Sequence, residues 1–241
     1  MEILPVEVDL EITPDSDLAG LVLDAAPPLR DDDIVAVTHK AVSKHEGRVV
    51  ELGSVTPSPD AIEIASDHSD PRLVEVILAE SRRILRQRGP LLVVETHHGI
   101  VCANAGVDRS NAPRPDTVVL LPHDPDESAL RLRSALEDRS GARIGVIVAD
   151  TMGRAWREGI VGTAIGVSGL APLHQLVGQV DPNGYELTST VIAVADELAA
   201  AADLAFGKLE RVPFVLIRGY RAGGDGTARE LIREPARDLF R

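Results

Sequence analysis

The chain has 241 residues, enough for one large domain or two modest ones, and its 44% hydrophobic and 26% charged residues make an ordinary globular balance. Aromatic residues supply only 2%, so the core must be Val, Ile, Leu and Ala, and aromatic stacking platforms for single-stranded nucleic acid are not expected. A net charge of −13 argues against a nucleic-acid partner, and the single cysteine, Cys102, excludes an intramolecular disulfide or a thiolate zinc cluster.

The N-terminus lacks a basic region followed by an apolar stretch, so no signal peptide is expected and the protein is read as cytoplasmic. The acidic run Asp31-Asp32-Asp33 reads as a solvated face. Residues 34–37 (Ile-Val-Ala-Val) form the first expected buried strand, extended by Thr38 and His39. Lys40, Lys44 and Arg48 follow it. Lys44 beside Ser43 suits neutralisation of a nucleotide phosphate, although a solvated lysine has the same local sequence. Residues 73–88 predict a helix with Leu73, Ile77, Ile84 and Leu85 near one face. A strand is expected at 91–94. The adjacent His97 and His98 would face opposite sides of an extended chain and make a poor metal pair. Cys102 ends the apolar run Gly99-Ile100-Val101-Cys102 and reads as a buried, inert thiol.

Two later segments carry the chemistry. Asn104-Ala105-Gly106-Val107-Asp108-Arg109-Ser110-Asn111 puts a carboxylate after an apolar run, with an amide three residues on. Asp108 and Asn111 could face one cavity, or could simply build an Asx-turn. After a strand at 118–121 and a helix at 127–139, the strand 144–148 leads to Ala149-Asp150-Thr151. Asp150 is expected at the strand's C-terminal end, where ligand sites gather in α/β folds. Thr151 adds a second oxygen. Arg109, Arg154 and Arg157 are expected to serve as cationic forks for phosphate or carboxylate. Hard oxygen donors beside arginines suit a divalent cation bound together with a polyphosphate. The competing reading of Asp150 is a cap for a following helix.

The glycine-rich, half-apolar stretch at 162–169 predicts a buried strand where backbones approach closely. Residues 191–206 predict an Ala-rich helix, and Asp196, Glu197 and Asp203 interrupt it, so it is no membrane span. A last strand is expected at 212–217. The loop at 219–226 could wrap a phosphate or be a flexible turn. The runs are continuous rather than alternating, which predicts sheets covered on both faces. Together the elements indicate a mixed α/β (α+β) architecture, too irregular for a simple doubly wound sheet. No Walker loop, GxGxxG fingerprint, G-x-S-x-G elbow or HExxH occurs.

The stretches Leu4-Pro5-Val6-Glu7, Val42-Ser43-Lys44-His45-Glu46-Gly47-Arg48, Cys102-Ala103-Asn104-Ala105-Gly106-Val107-Asp108-Arg109-Ser110-Asn111, Asp150-Thr151-Met152-Gly153-Arg154, Gly159 to Gly169 and Val194-Ala195-Asp196-Glu197 resemble, in order and at compatible spacing, the coenzyme F(420)-0:L-glutamate ligase family. That resemblance implies one ligase unit over residues 1–241, with two intimately connected α/β subdomains, acting as a homodimer. It implies GTP-dependent, metal-dependent addition of L-glutamate, and then of a γ-linked second glutamate, to the deazaflavin precursor coenzyme F(420)-0 through an acyl phosphate. The alternatives are a metal-dependent phosphohydrolase and a non-catalytic nucleotide- or metal-binding protein. Asp108, Asp150 and Lys44 match catalytic positions. Asp108 and Asp150 match ligands of one Mg²⁺ or Mn²⁺ and Thr151 matches a ligand of a second, with K⁺ as a further ion. Nucleotide contacts are implied for Asp9, Leu10, Glu11 and Ile12, for His39, Lys40, Lys44 and Asn111, and for Phe206, Gly207, Lys208, Leu209, Glu210, Arg211 and Val212. The chain departs from relatives at Val8-Asp9-Leu10, which lacks their Gly-x-Pro pattern, and at Lys208, where some members carry an acidic metal ligand. An ammonium cannot coordinate a cation. Either Glu210 substitutes, or the second metal is weak, or Lys208 contacts phosphate directly. The ending Pro235-Ala236-Arg237-Asp238-Leu239-Phe240-Arg241 resembles the hinge to a nitroreductase-like domain in two-domain relatives, and no such domain is expected here.

Overall fold

The β-branched runs of the sequence become the middle of one mixed sheet. The computed structural model describes residues 1–239; the last two residues of the hinge-like ending lie outside the described residues. In chain order the elements are β1 (Glu2–Val6), α1 (Leu18–Ala25), β2 (Ile34–Thr38), α2 (His39–His45), β3 (Val49–Glu51), α3 (Pro59–Ala65), α4 (Pro71–Ala79), β4 (Ser81–Arg88), β5 (Leu91–Thr96), β6 (Val101–Ala103), β7 (Thr117–Val119), α5 (Pro125–Ser140), β8 (Gly145–Arg154), β9 (Arg157–Ser168), β10 (His174–Gln175), β11 (Val191–Ile192), α6 (Val194–Phe206) and β12 (Phe214–Arg218). The main sheet has five strands in the order β1-β12-β2-β8-β9. Only β2 and β8 run parallel in it; the other neighbours are antiparallel. This is the mixed α/β fold that the alternation of runs predicts, without a doubly wound order.

Both faces of the sheet are covered, which is why its strands lack a polar side. Val35, Val37, Val146, Val148, Phe214 and Leu216 pack on one face with Val22 of α1 and Leu132 and Leu136 of α5. Ile34, Ala36, Ile147, Ala149, Val215 and Ile217 face the other way, onto Ala195, Leu198, Ala199 and Ala202 of α6. A second, smaller core joins α3 and α4 to β5 through Ala61, Ala65, Val74, Ile77, Leu92 and Val94.

The glycines of β9 permit the close helix packing. A methyl group at Gly162 would collide with the carbonyl of Ala199 in α6, and one at Gly166 with the carbonyl of Pro125 at the start of α5. The expected close backbone approach is therefore present, at two separate helices.

The helix expected at 73–88 is corrected. The helix α4 stops at Ala79, and the remaining residues form the strand β4, antiparallel to β5. The Ser81 hydroxyl donates to the Ile77 carbonyl at 2.5 Å, an interaction that ends the helix rather than extending it. Beyond it Arg83 pairs at 2.7 Å with Glu95, a β5 carboxylate that is almost completely buried, and that partner lies across a ladder. The other expectations shift only at their ends: the helix of 191–206 starts at Val194, since Val191–Ile192 pairs with β10, and the last strand starts at Phe214. No helix among the described residues is long and apolar enough to cross a membrane.

Candidate functional site

Parallel pairing of β2 and β8 sets the site. Thr38, the last residue of β2, lies opposite Ala149. The next residue of each chain segment, buried His39 and part-buried Asp150, therefore stands at the same level of the sheet. A cavity of about 390 Å³ opens there, floored by Thr38, Ala149 and Pro213 and walled by α2, the 8–12 segment and the loop after α6. Asp150 is not at a strand terminus as expected: β8 continues to Arg154 as one arm of a hairpin with β9, and what ends near Asp150 is the covering of the strand. No helix follows, so the helix-cap reading of Asp150 falls.

The first two residues of α2 hold the two carboxylates. His39 Nε2 lies 3.3 Å from Asp150 Oδ1, and Lys40 Nζ lies 2.6 Å from Asp108 Oδ2. Burial drives the His39 pKa below its ordinary value, against the pull of Asp150. The buried Nδ1 of the ring has no hydrogen-bond partner among the described residues. His39 also feels the charge of Asp108, whose carboxylate is held by the neighbouring Lys40. Burial pushes Asp108 up, but the Lys40 ammonium and the amide and hydroxyl of Ser110 outweigh it and hold the carboxyl below its usual range. The Ser110 amide donates to Asp108 Oδ1 at 2.7 Å and its hydroxyl to Oδ2 at 2.8 Å. The Asx-turn and the site are therefore the same structure: the turn aims the carboxylate at Lys40.

Around this pair stand further polar groups. Lys44 lines the cavity with its ammonium 2.6 Å from Glu11 Oε1. The Asn111 amide donates to the Lys208 carbonyl at 3.4 Å and so ties the Asp108 loop to the loop after α6. Lys208 Nζ donates to the Thr151 hydroxyl at 3.4 Å. Asp203, one turn before Phe206 on α6, also lines the cavity, and burial raises its pKa despite the nearby Lys208.

Of the residues matched to nucleotide contacts, Leu10, Glu11, Ile12, His39, Lys40, Lys44, Asn111, Phe206, Gly207, Lys208, Leu209, Arg211 and Val212 line the cavity. Asp9 and Glu210 do not; Asp9 is exposed, and Glu210 turns back to accept from the Leu209 amide at 2.9 Å. Asp108 stands behind Lys40 rather than in the lining. The arginine assignments are corrected. Arg109 pairs with Asp70 at 3.0 Å, and Arg154 and Arg157 flank the exposed hairpin turn, since each strand residue carries the chain about 3.3 Å farther from Asp150. The cations at the cavity are Lys40, Lys44, Lys208 and Arg211 instead. The glycine loop at 219–226 is not part of it. Sequence reasoning missed Asp203 as a site residue; its signal was an acid three residues before Phe206 in an otherwise Ala-rich helix. Cys102 is buried, and burial pushes its thiol up to about 12, which fits the inert reading.

Among the described residues no group of three His, Cys, Asp or Glu side chains could hold a metal ion alone. The oxygen donors in the lining are the Asp150 carboxylate and the Thr151 hydroxyl, with the Asp108 carboxylate behind Lys40, and oxygen donors of this kind are the chemistry that suits a hard cation.

The sequence model for F420-0:gamma-glutamyl ligase matches residues 9–219. The chain belongs to this ligase family. It is 44% identical over 248 residues to the coenzyme F420:L-glutamate ligase of Methanopyrus kandleri, covering 100% of this chain and 98% of that protein. The enzyme of the same name from Methanothermobacter thermautotrophicus is 44% identical over 234 residues, covering 93% and 92% of the two chains. That of Methanocaldococcus jannaschii is 43% identical over 217 residues, covering 89% and 86%. All the cavity segments fall within the ligase match except Val8, at its edge.

Proposed function

We propose that this protein joins L-glutamate to coenzyme F420-0, and then a second glutamate to the first through its γ-carboxylate, at the expense of GTP. Full-length similarity to ligases of that name supports the reading, and the observation that carries it is one polar cavity lined by Asp150, Thr151, Lys44 and Lys208, with Asp108 joined to its wall through Lys40. In this mechanism the triphosphate lies along the cavity, where Lys44 and Lys208 provide charge and Asn111 a hydrogen-bond donor. Asp108 and Asp150 would hold a divalent ion, which supplies neutralisation of phosphate charge when bound. An acceptor carboxylate oxygen attacks the γ-phosphorus, the bond to the β-phosphate bridging oxygen breaks, and GDP leaves. The glutamate amine then attacks the acyl carbon of the resulting acyl phosphate, loses a proton, and expels phosphate to leave an amide. His39, buried with Nε2 3.3 Å from Asp150 Oδ1, positions that carboxylate.

The decisive experiment is mass spectrometry of the deazaflavin after incubation with GTP, glutamate and Mn²⁺, alongside Asp150→Asn. The wild type is expected to add glutamate mass with phosphate release dependent on both acceptor and amine. Asp150→Asn is expected to lose at least about a hundredfold in rate with its unfolding transition unchanged. Phosphate release independent of glutamate would favour a phosphohydrolase, and near-normal turnover by the variant would overturn the role of Asp150.

A further inference from the structure

A second cavity, of about 610 Å³, lies on the β9 side of Asp150, as the first lies on its β2 side. Asp150 lines the first cavity. Its ladder partner on β9, Thr163, lines the second, together with Ile165 farther along β9 and Met152 on β8. Directly opposed residues of an antiparallel pair stand about 5 Å apart, so one rung of the sheet separates the two spaces. The other walls come from the start of α5, the first turn of α6 and the segment after β12. A volume of this order is typical of a small-molecule site.

The charges in this second cavity are unequally matched. Asp124 accepts from Arg229 at 2.7 Å, and Asp126 Oδ1 accepts from the amides of Val167 and Ala228, each at 2.8 Å. Asp196, in the first turn of α6, accepts only from the Ala164 amide at 2.9 Å, and no cation pairs with it among the described residues. Burial raises its pKa, and the one backbone donor does not reverse that. Arg233 is the converse, an exposed guanidinium in the lining with no carboxylate at ion-pair distance among the described residues. A carboxylate without a cation and a guanidinium without an anion, in a space that also carries the apolar side chains of Met152 and Ile165, call for a ligand with an ammonium, a carboxylate and a short aliphatic stem. We propose that this cavity takes the amino-acid substrate, L-glutamate, with its ammonium on Asp196 and a carboxylate on Arg233. The amine is thereby held across one rung of the hairpin from the cavity assigned to the triphosphate, on the side away from the nucleotide. This inference rests on the ligase reading and adds to it the place of the amine substrate.

The test sets glutamate against hydroxylamine, an amine with no carboxylate, which displaces phosphate from an acyl phosphate to give a hydroxamate. Full-length protein is incubated with coenzyme F420-0, GTP, Mn²⁺ and both amines, and mass spectrometry gives the ratio of glutamyl amide to hydroxamate. Asp196→Asn retains an oxygen to accept from the Ala164 amide and removes only the charge. It is expected to lower the ratio by at least about tenfold, the loss of a charge-assisted contact. Arg233→Ala is expected to lower it by less, about threefold, because that side chain is exposed and screened, and Arg233→Lys is expected to restore part of the loss. An unchanged ratio in either Asp196→Asn or Arg233→Ala would overturn the inference and leave the ligase reading intact, since the two products still report an activated acceptor. Wild-type protein that forms neither product would sink the ligase reading and this inference with it. Arg233 lies on the surface, so its variants keep the question decidable even if Asp196→Asn fails to fold.

Discussion

Replacing Gly162 by alanine tests whether the packing of α6 on β9 positions the cavity wall. The added methyl carbon meets the Ala199 carbonyl carbon and oxygen and the Asp203 Cβ, and the first two are helix backbone that cannot rotate aside. Forcing a methyl into such a space costs about 3 kcal/mol, the upper end for overpacking. Alanine in a strand returns roughly 0.5–1 kcal/mol relative to glycine. The net loss is therefore about 2 kcal/mol, and for a chain of this size that lowers Tm by roughly 4–8 °C. Gly153 provides the control, because it lies on β8 with open space around it and no left-handed φ. Thermal unfolding followed by circular dichroism should separate the two: Gly162→Ala melts early and Gly153→Ala melts within a degree or two of wild type. The displaced helix also carries Asp203 and Phe206, so KM for the proposed nucleotide substrate should rise in Gly162→Ala alone. Equal melting of both variants would refute the close-approach reasoning.

Three other outcomes follow from the structure. The His39 pKa is depressed by burial, so below pH ~6.5 the unfolded chain takes up a proton that the folded chain refuses, and stability falls as pH drops from there, by at most ~1.4 kcal/mol per pH unit. Urea titrations between pH 7 and 5 should show this slope, and His39→Gln should flatten it; an identical slope in the variant would contradict it. Cys102, buried and raised to about 12, should react with a thiol reagent at neutral pH only as fast as the protein unfolds. Rapid labelling of the folded protein would refute that. Arg109→Ala and Arg154→Ala should leave kcat/KM within about twofold of wild type, since neither side chain reaches the cavity.

What the sequence could convey depended on how completely each segment is covered. β2, β8 and β12 are buried on both faces, so an unbroken β-branched run was sufficient to recognise them. β4 is an exposed edge strand whose Ile84 and Leu85 continue the helical spacing begun by Leu73 and Ile77, and a period count could not detect that the chain had changed partners at Ser81. At the site, Asp108 and Asp150 were legible because each is a carboxylate just past an apolar run. The arginines misled because proximity in sequence was taken as proximity in space. On a strand that continues as a hairpin, four residues span about 13 Å. The cations that do reach the cavity come from α2 and the loop after α6, 110 and 58 positions from Asp150 (150 minus 40, and 208 minus 150). Only the parallel pairing of β2 with β8 and the packing of α6 bring them there.

The two halves of β8 live under different mechanical conditions. Up to Ala149 the strand is gripped by β2 on one side and β9 on the other; beyond it β9 is its sole ladder partner. A register irregularity between Val148 and Ala149 marks that boundary. The outer ribbon, with Trp156 at its turn, is paired on one side alone, so Asp150 stands where the doubly paired ladder gives way to the hairpin. Hairpins trimmed or lengthened by matched pairs of residues would keep the alternation of side chains and leave that anchor facing as it does. The ribbon is thus free to diversify in length without cost to the carboxylate at its root.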